Sequence, residues 1–284
     1  MLFFATTITI ERLVAWAIAL ICLYGFVRLV SRRTKQENES VNWSAYEAVA
    51  ITLLLFFGSQ IIAAIVIGLL GGSIGWDDQR LTSELEQPAG QFIYILIAEA
   101  FSVGLLYLFL RHRKTAWAKI GWVKPRLRDI GYALTGFAIY FGVYALFVSS
   151  LVSNYLPQID TDQKQQLGFD TSLIGPELIL VFISLVILPP LVEEIIVRGF
   201  LYTGLRNKMP IIWAAIIASV VFAAAHLQWG SGQPLLWSAA IDTLILSLVL
   251  IGLRQKTGSL WPGIGLHFIK NGLAFLALYI FKVT

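Results

Sequence analysis

Residues 188–200 read Leu-Pro-Pro-Leu-Val-Glu-Glu-Ile-Ile-Val-Arg-Gly-Phe, with three ionisable groups, Glu193, Glu194 and Arg198, inside an otherwise apolar run. An ionisable side chain at the middle of a bilayer costs about 2.5–3.5 kcal/mol on insertion scales, so each of these needs a reason. Glu194 and Arg198 are spaced i, i+4, which lets them pair along one helix face. Glu193 then points about 100° away and is left free to act. Pro189 and Pro190 cannot donate backbone hydrogen bonds, which predicts a break with a new helix starting near Leu191. Both glutamates would then sit in its first turn, facing free N–H groups and the positive end of the helix dipole. As a pattern alone, the three residues serve equally well as a clamp between helices.

Two further spans carry matching chemistry. His226 follows Phe222 by one turn amid small residues, and His267 and Asn271 share a face at i, i+4. A lone His in a span is an interhelical hydrogen bonder more often than a catalyst, and a His/Asn pair can be polar glue between helices. Taken in order, however, a carboxylate base, an imidazole and two donors aimed the same way are the parts that activate water and stabilise a tetrahedral intermediate. No Ser or Cys nucleophile is required. Glu and His also suit Zn²⁺, with Glu193, His226 and His267 as its ligands if a metal is bound, although the zincin arrangement of two His at i, i+4 around a Glu is absent. No cofactor follows from the sequence, with Zn²⁺ the one candidate.

The elements that must position these groups are membrane spans. Of 284 residues 57% are apolar and 13% charged, and mean hydropathy is +0.76. A soluble domain is near half apolar and a quarter charged. Charged loops divide the chain into about eight candidate helices, 8–30, 46–71, 90–110, 129–152, 176–203, 210–227, 235–253 and 259–281. The fold class expected is all-α, a polytopic transmembrane helix bundle of about eight spans. Residues 1–152 supply N-terminal helices, and 176–281 form a catalytic core from the last four spans. The first span is read as retained rather than as a cleaved signal, because it lacks a basic start and a cleavage site. The single Cys22 excludes a disulfide framework and a Cys-based metal site.

Loop charges alternate. Fifteen Lys and Arg fall on one side, between the first and second, third and fourth, fifth and sixth, and seventh and eighth spans, against Arg12, Arg80, Lys164 and Lys282 on the other. The positive-inside rule therefore places the basic side in the cytoplasm and both termini outside it. Trp117 and Trp122, interleaved with Lys119 and Lys124, suggest a segment lying on the cytoplasmic surface. The same distribution excludes a nucleic-acid stripe despite a net charge of +4. The partners are the lipid bilayer and a membrane-associated protein or peptide substrate.

Three signatures, Glu193-Glu194-x-x-x-Arg198, Phe222-x-x-x-His226 and His267-x-x-x-Asn271, are intact and in order. On them the sequence resembles the CPBP intramembrane peptidases, also called the Abi or CAAX protease family, which includes Rce1-type enzymes that trim prenylated proteins and relatives linked to bacteriocin processing. The resemblance covers 193–271, and the first four spans add nothing to it. It implies an intramembrane endopeptidase in which Glu193 is the general base, helped by His226 to activate water. Glu194 and Arg198 would support it, and His267 with Asn271 would stabilise the oxyanion. The family has been described both as metal-dependent and as metal-free. Two other classes fit parts of the pattern: a catalytically idle scaffold or immunity protein of the same fold, and a proton-coupled transporter using Glu99 and Asp242. Asp242 can instead pair with Lys270, and Glu99 can hydrogen-bond within the bundle. Straight spans would put His267, Glu194 and His226 at ~13, ~18 and ~24 Å from the cytoplasmic helix ends, so tilt or a displaced helix must bring them level. The expected cavity is near mid-membrane and open to the cytosol.

Overall fold

The computed structural model describes residues 21, 41–144, 148, 151–152, 156, 158–160, 163, 165, 167–228 and 232–282. Apart from residue 21, the first predicted span with Cys22, the basic loop after it, and Arg12 and Lys164 lie outside the described residues. Within them the protein is all-helical: α1 Ala45–Ser73, α2 Asp78–Glu86, α3 Pro88–His112, α4 Leu127–Val143, α5 Glu177–Arg206, α6 Ile211–Ala225, α7 Trp237–Thr257 and α8 Trp261–Ile280. Five of these, α1, α3, α5, α7 and α8, are long and apolar enough to cross a membrane, and the protein is integral to one. The predicted spans match α1 and α3 to α8 in order. The polar α2, which leaves no residue buried, was not foreseen.

Helix ends are set by local chemistry. Ser44 and Glu47 form a reciprocal capping box at the start of α1, with Ser44 N–H donating to Glu47 Oε2 at 2.7 Å and Glu47 N–H to Ser44 Oγ at 3.2 Å. Asp77 caps α2, accepting from Arg80 N–H at 2.8 Å. α3 begins on Pro88, whose missing N–H would have had no partner there. α7 stops at Gly258, which takes φ +69° in the left-handed region.

Two ends of the bundle are distinct. Residues 41–44, 111–126, 206–210 and 254–261 gather at one end: Asn207 donates to Val41 O, Leu260 N–H to Gly121 O, and Trp261 Nε1 to Val123 O. This end carries the basic loops. The opposite end gathers α2, the described residues among 156–176 and 226–236, and the end of α8: Gln163 donates to Pro234 O, and Lys282 to Thr171 and Leu173. The segment around Trp117 is a short 3₁₀ turn, Trp117–Ile120, packed into the basic end, with Ile120 fully buried and Trp122 packed at a tilt against Trp261, 5.0 Å between centroids. It is anchored in the bundle rather than lying on the membrane surface alone.

The main core fills the basic half, around Trp43, Leu106, Ile196, Phe200, Leu201, Phe222 and Leu260. Lipid tails are as apolar as these side chains, so close packing rather than hydrophobicity must hold the helices together. α6 accordingly turns Ala214, Ala215, Ala218 and Ser219 inward while Trp213, Ile216 and Val220 face outward. Trp43 stacks on Phe200 with centroids 5.0 Å apart and meets Phe109 edge-on at 6.0 Å, tying the segment before α1 to α3 and α5. Trp43→Ala is expected to lower stability in detergent by on the order of 3 kcal/mol, read as a fall in the unfolding midpoint, since it leaves a cavity between three helices.

Candidate functional site

α5 carries the acidic motif and is not a regular α-helix. Residues Ile183–Ile187 and Glu194–Leu201 are π-helical, flanking the α-helical stretch Leu188–Glu193. The two prolines therefore widen the helix and leave it continuous, correcting the expectation of a new helix at Leu191. Glu193 and Glu194 consequently sit in the middle of a 30-residue helix. They have no first-turn N–H groups to meet, and the dipole argument for their placement fails.

What holds them is other side chains. Glu194 and Arg198 are both wholly buried, with Arg198 Nη1 3.0 Å from Glu194 Oε1. The approach is electrostatic rather than a well-aligned hydrogen bond. The guanidinium carbon also lies 4.2 Å from the centroid of Phe222, whose ring face favours a cation. Thus the Phe of the second motif seats the Arg of the first. His267 reaches the pair from α8, its Nδ1 3.3 Å from Glu194 Oε1, while its Nε2 lies 3.8 Å from Glu193 Oε2. Its ring bridges the two carboxylates. Phe222 closes the group, its centroid 4.7 Å from that of His226 and 6.2 Å from that of His267.

Glu193 points away from Glu194, as its position one residue earlier requires, into a cavity of about 300 Å³. His226, His267 and Asn271 line the same cavity, as do Asp242 and Lys270. The disagreement in depth expected for straight spans is removed by α6. At 15 residues it is ~22 Å long, short of the ~30 Å hydrocarbon thickness, and it ends at His226 level with the site. His226 Nδ1 is tied to Phe222 O at 2.8 Å, leaving Nε2 as its other ring nitrogen.

Asn271 has a structural task that sequence reasoning missed. Its Nδ2 donates to Leu185 O at 2.9 Å. In an α-helix that carbonyl would accept from residue 189, which is proline and has no N–H. One amide hydrogen of Asn271 therefore satisfies the carbonyl that Pro189 orphans. Nδ2 carries a second hydrogen for the cavity. The available signal was the pairing of a Pro-Pro step with an Asn in a later span.

Gly263 lies in the first turn of α8. A Cβ there would stand 2.8 Å from Glu194 Oε2, so only glycine lets α8 approach the buried carboxylate. It lies one turn before His267, on the stripe that continues to Asn271. Asp242 does pair with Lys270, at 2.9 Å, and also accepts from Tyr140 OH, joining α4, α7 and α8 at the cavity wall. Glu99 lies within the membrane-spanning α3.

Among the described residues no three His, Cys, Asp or Glu side chains are arranged to hold a metal ion. Glu193, His226 and His267 share the cavity without forming such a trio, so no chemical step is assigned to Zn²⁺.

The position of the cavity bears on the side to which it opens. Its lining comes from the first half of α5 as far as Glu193, the end of α6, the first half of α7 and α8 from His267 onward, with Gln165 and Leu167 also contributing. All of these lie toward the end opposite the basic loops. On the basic side the site is closed by Val197, Phe200, Leu201, Leu260 and Ile264, each at most 2% exposed. A cytoplasmic basic end and a cavity open to the cytosol are therefore incompatible.

Comparison with known proteins bears on this helical bundle and its Glu/His cavity. Residues 175–273, which contain all three motifs, match the family model described as Rce1-like, type II CAAX prenyl endopeptidase Rce1-like. At the level of that family this segment supports a CAAX-type intramembrane protease. The chain is also similar to an uncharacterized 24.3 kDa protein of Escherichia coli, 29% identical over 182 residues, covering 61% of this chain and 75% of that protein. No solved structure matches.

Two glycines of α8 separate the site from ordinary packing. Alanine normally favours a helix over glycine by up to about 1 kcal/mol. Gly272→Ala, whose Cβ would meet only Val186 at 3.8 Å, should be neutral or stabilising. Gly263→Ala should lower the unfolding midpoint, because Glu194 is held by Arg198 and His267 and cannot step aside.

Proposed function

We propose that the protein is an intramembrane endopeptidase that hydrolyses a peptide bond of a membrane-associated protein or peptide with water activated by Glu193. The reading is supported above all by one arrangement: Glu193, His226, His267 and Asn271 face one cavity, while the buried Glu194–Arg198 pair stands behind them. Glu193 takes a proton from water as the oxygen attacks the carbonyl carbon. His226, across the cavity, helps to hold that water. The developing oxyanion meets the second N–H of Asn271 and, in the tautomer that carries its hydrogen on Nε2, the ring of His267, which stands beside Glu194 on its Nδ1 side. As the tetrahedral intermediate collapses and the C–N bond breaks, Glu193 passes its proton to the leaving amine. Glu194 and Arg198 position His267 and Phe222 and take no part in bond-making. The transporter reading loses its support from Asp242, which is committed to Lys270 and Tyr140.

Glu193→Gln and His226→Ala are each expected to abolish cleavage, at least ~100-fold, while the protein inserts and purifies normally. Terminal-peptide profiling of membranes bearing wild type against Glu193→Gln reads this directly. Undiminished cleavage by both purified variants overturns the reading, and absence of any Glu193-dependent fragment favours an idle scaffold. Exhaustive chelation should leave cleavage intact. Loss that Zn²⁺ restores would instead establish a metal enzyme.

A further inference from the structure

We infer that the cavity opens to the non-cytoplasmic face of the membrane and that its substrate is a juxtamembrane peptide segment on that side, such as part of a secreted or outer-leaflet-anchored protein. The substrate class rests on the peptidase reading; the direction of opening does not.

Three independent observations carry it. First, the charge of the two ends is unequal. The basic end holds Arg111, Arg113, Lys114, Lys119, Lys124, Arg126, Arg128, Arg206, Lys208, Arg254 and Lys256, with the basic loop before residue 41 joining them by sequence. The cavity end holds Asp77, Asp78, Glu84, Glu86, Asp160, Asp170 and Glu177 against Arg80 and Lys282 among the described residues. Short Lys/Arg-rich loops stay in the cytoplasm. Second, the route from the site to the basic end is filled by the main core, including the wholly buried Arg198, Phe200 and Leu201. Nothing the size of a peptide passes there without unpacking α5 from α8. Third, α6 ends ~8 Å short of a full crossing, on the cavity side, with His226 at its tip. No further turn of helix walls the cavity at that end, which is crossed instead by the chain at Leu227 and Leu236, joined by a backbone hydrogen bond.

The orientation is read by thiol labelling in a Cys22→Ser background. Ala239→Cys and Gln165→Cys place a thiol in the cavity lining. Thr82→Cys on α2 marks the same end, and Ala118→Cys marks the basic end; both are exposed. A bilayer-impermeant maleimide is applied to right-side-out and to inverted vesicles from cells that make the full-length protein. The expected result is that positions 82, 165 and 239 react in right-side-out vesicles and position 118 only in inverted ones. Reaction of positions 165 and 239 only in inverted vesicles, or in neither, overturns the proposal. In terminal-peptide profiling, Glu193-dependent fragments should map to non-cytoplasmic segments. Fragments confined to cytoplasmic segments overturn the substrate class. A complete absence of such fragments overturns the peptidase reading and the substrate class with it, while the labelling still decides the direction of opening.

Discussion

The arrangement of this protein depends on one ion pair buried where water cannot reach it. Glu194 and Arg198 are both fully enclosed, and a charge in such surroundings is tolerable only beside an opposite one. Each neighbour of the pair answers a need that it creates. Phe222 offers its ring face to the guanidinium, His267 offers a ring nitrogen to the carboxylate, and Gly263 withholds a side chain so that α8 can come close. Since these three contributions come from α6 and α8, satisfying the pair on α5 fixes three helices relative to one another. Glu193 inherits its position from that arrangement and touches it only through the far edge of the His267 ring.

The irregularity of α5 belongs to the same logic. A regular helix through Pro189 and Pro190 would leave Leu185 O without a donor in a medium that supplies none. The helix widens to a π form on both sides of the proline step, and Asn271 donates to the orphaned carbonyl from α8. Backbone irregularity in α1 is handled the same way: Ser59 and Ser102 both donate to Leu55 O within the π-helical Leu54–Gly58 stretch, at 2.6 and 2.9 Å. Small polar side chains thus hold helices together by completing one another's backbones.

Most of the fold could be read from hydropathy and loop charge, because a span must be long and apolar whatever it touches. The pairing of Glu194 with Arg198 and of Asp242 with Lys270 could also be read, the first from i, i+4 spacing and the second from the rarity of charge in spans. The true state of α5 could not: prolines say that a hydrogen bond is lost, and only the packing partner says whether the helix ends or bulges. Gly263 and the Leu185 acceptor were hidden for the same reason, since each is defined by a contact between residues some seventy to ninety positions apart. The agreement in depth between His226 and the rest of the site could not be read either, because straight, full-length helices were assumed and α6, at 15 residues, is not full-length.

That short helix has a bearing on the membrane itself. A cylinder of apolar residues about a quarter shorter than the hydrocarbon layer obliges the adjacent lipids to splay, compress or admit headgroups and water beside His226. The acyl chains next to α6 are therefore part of the entrance. On the proposed peptidase reading, bilayer thickness and chain length join peptide sequence in governing what reaches Glu193, and the lipid composition of the host membrane becomes a determinant of specificity.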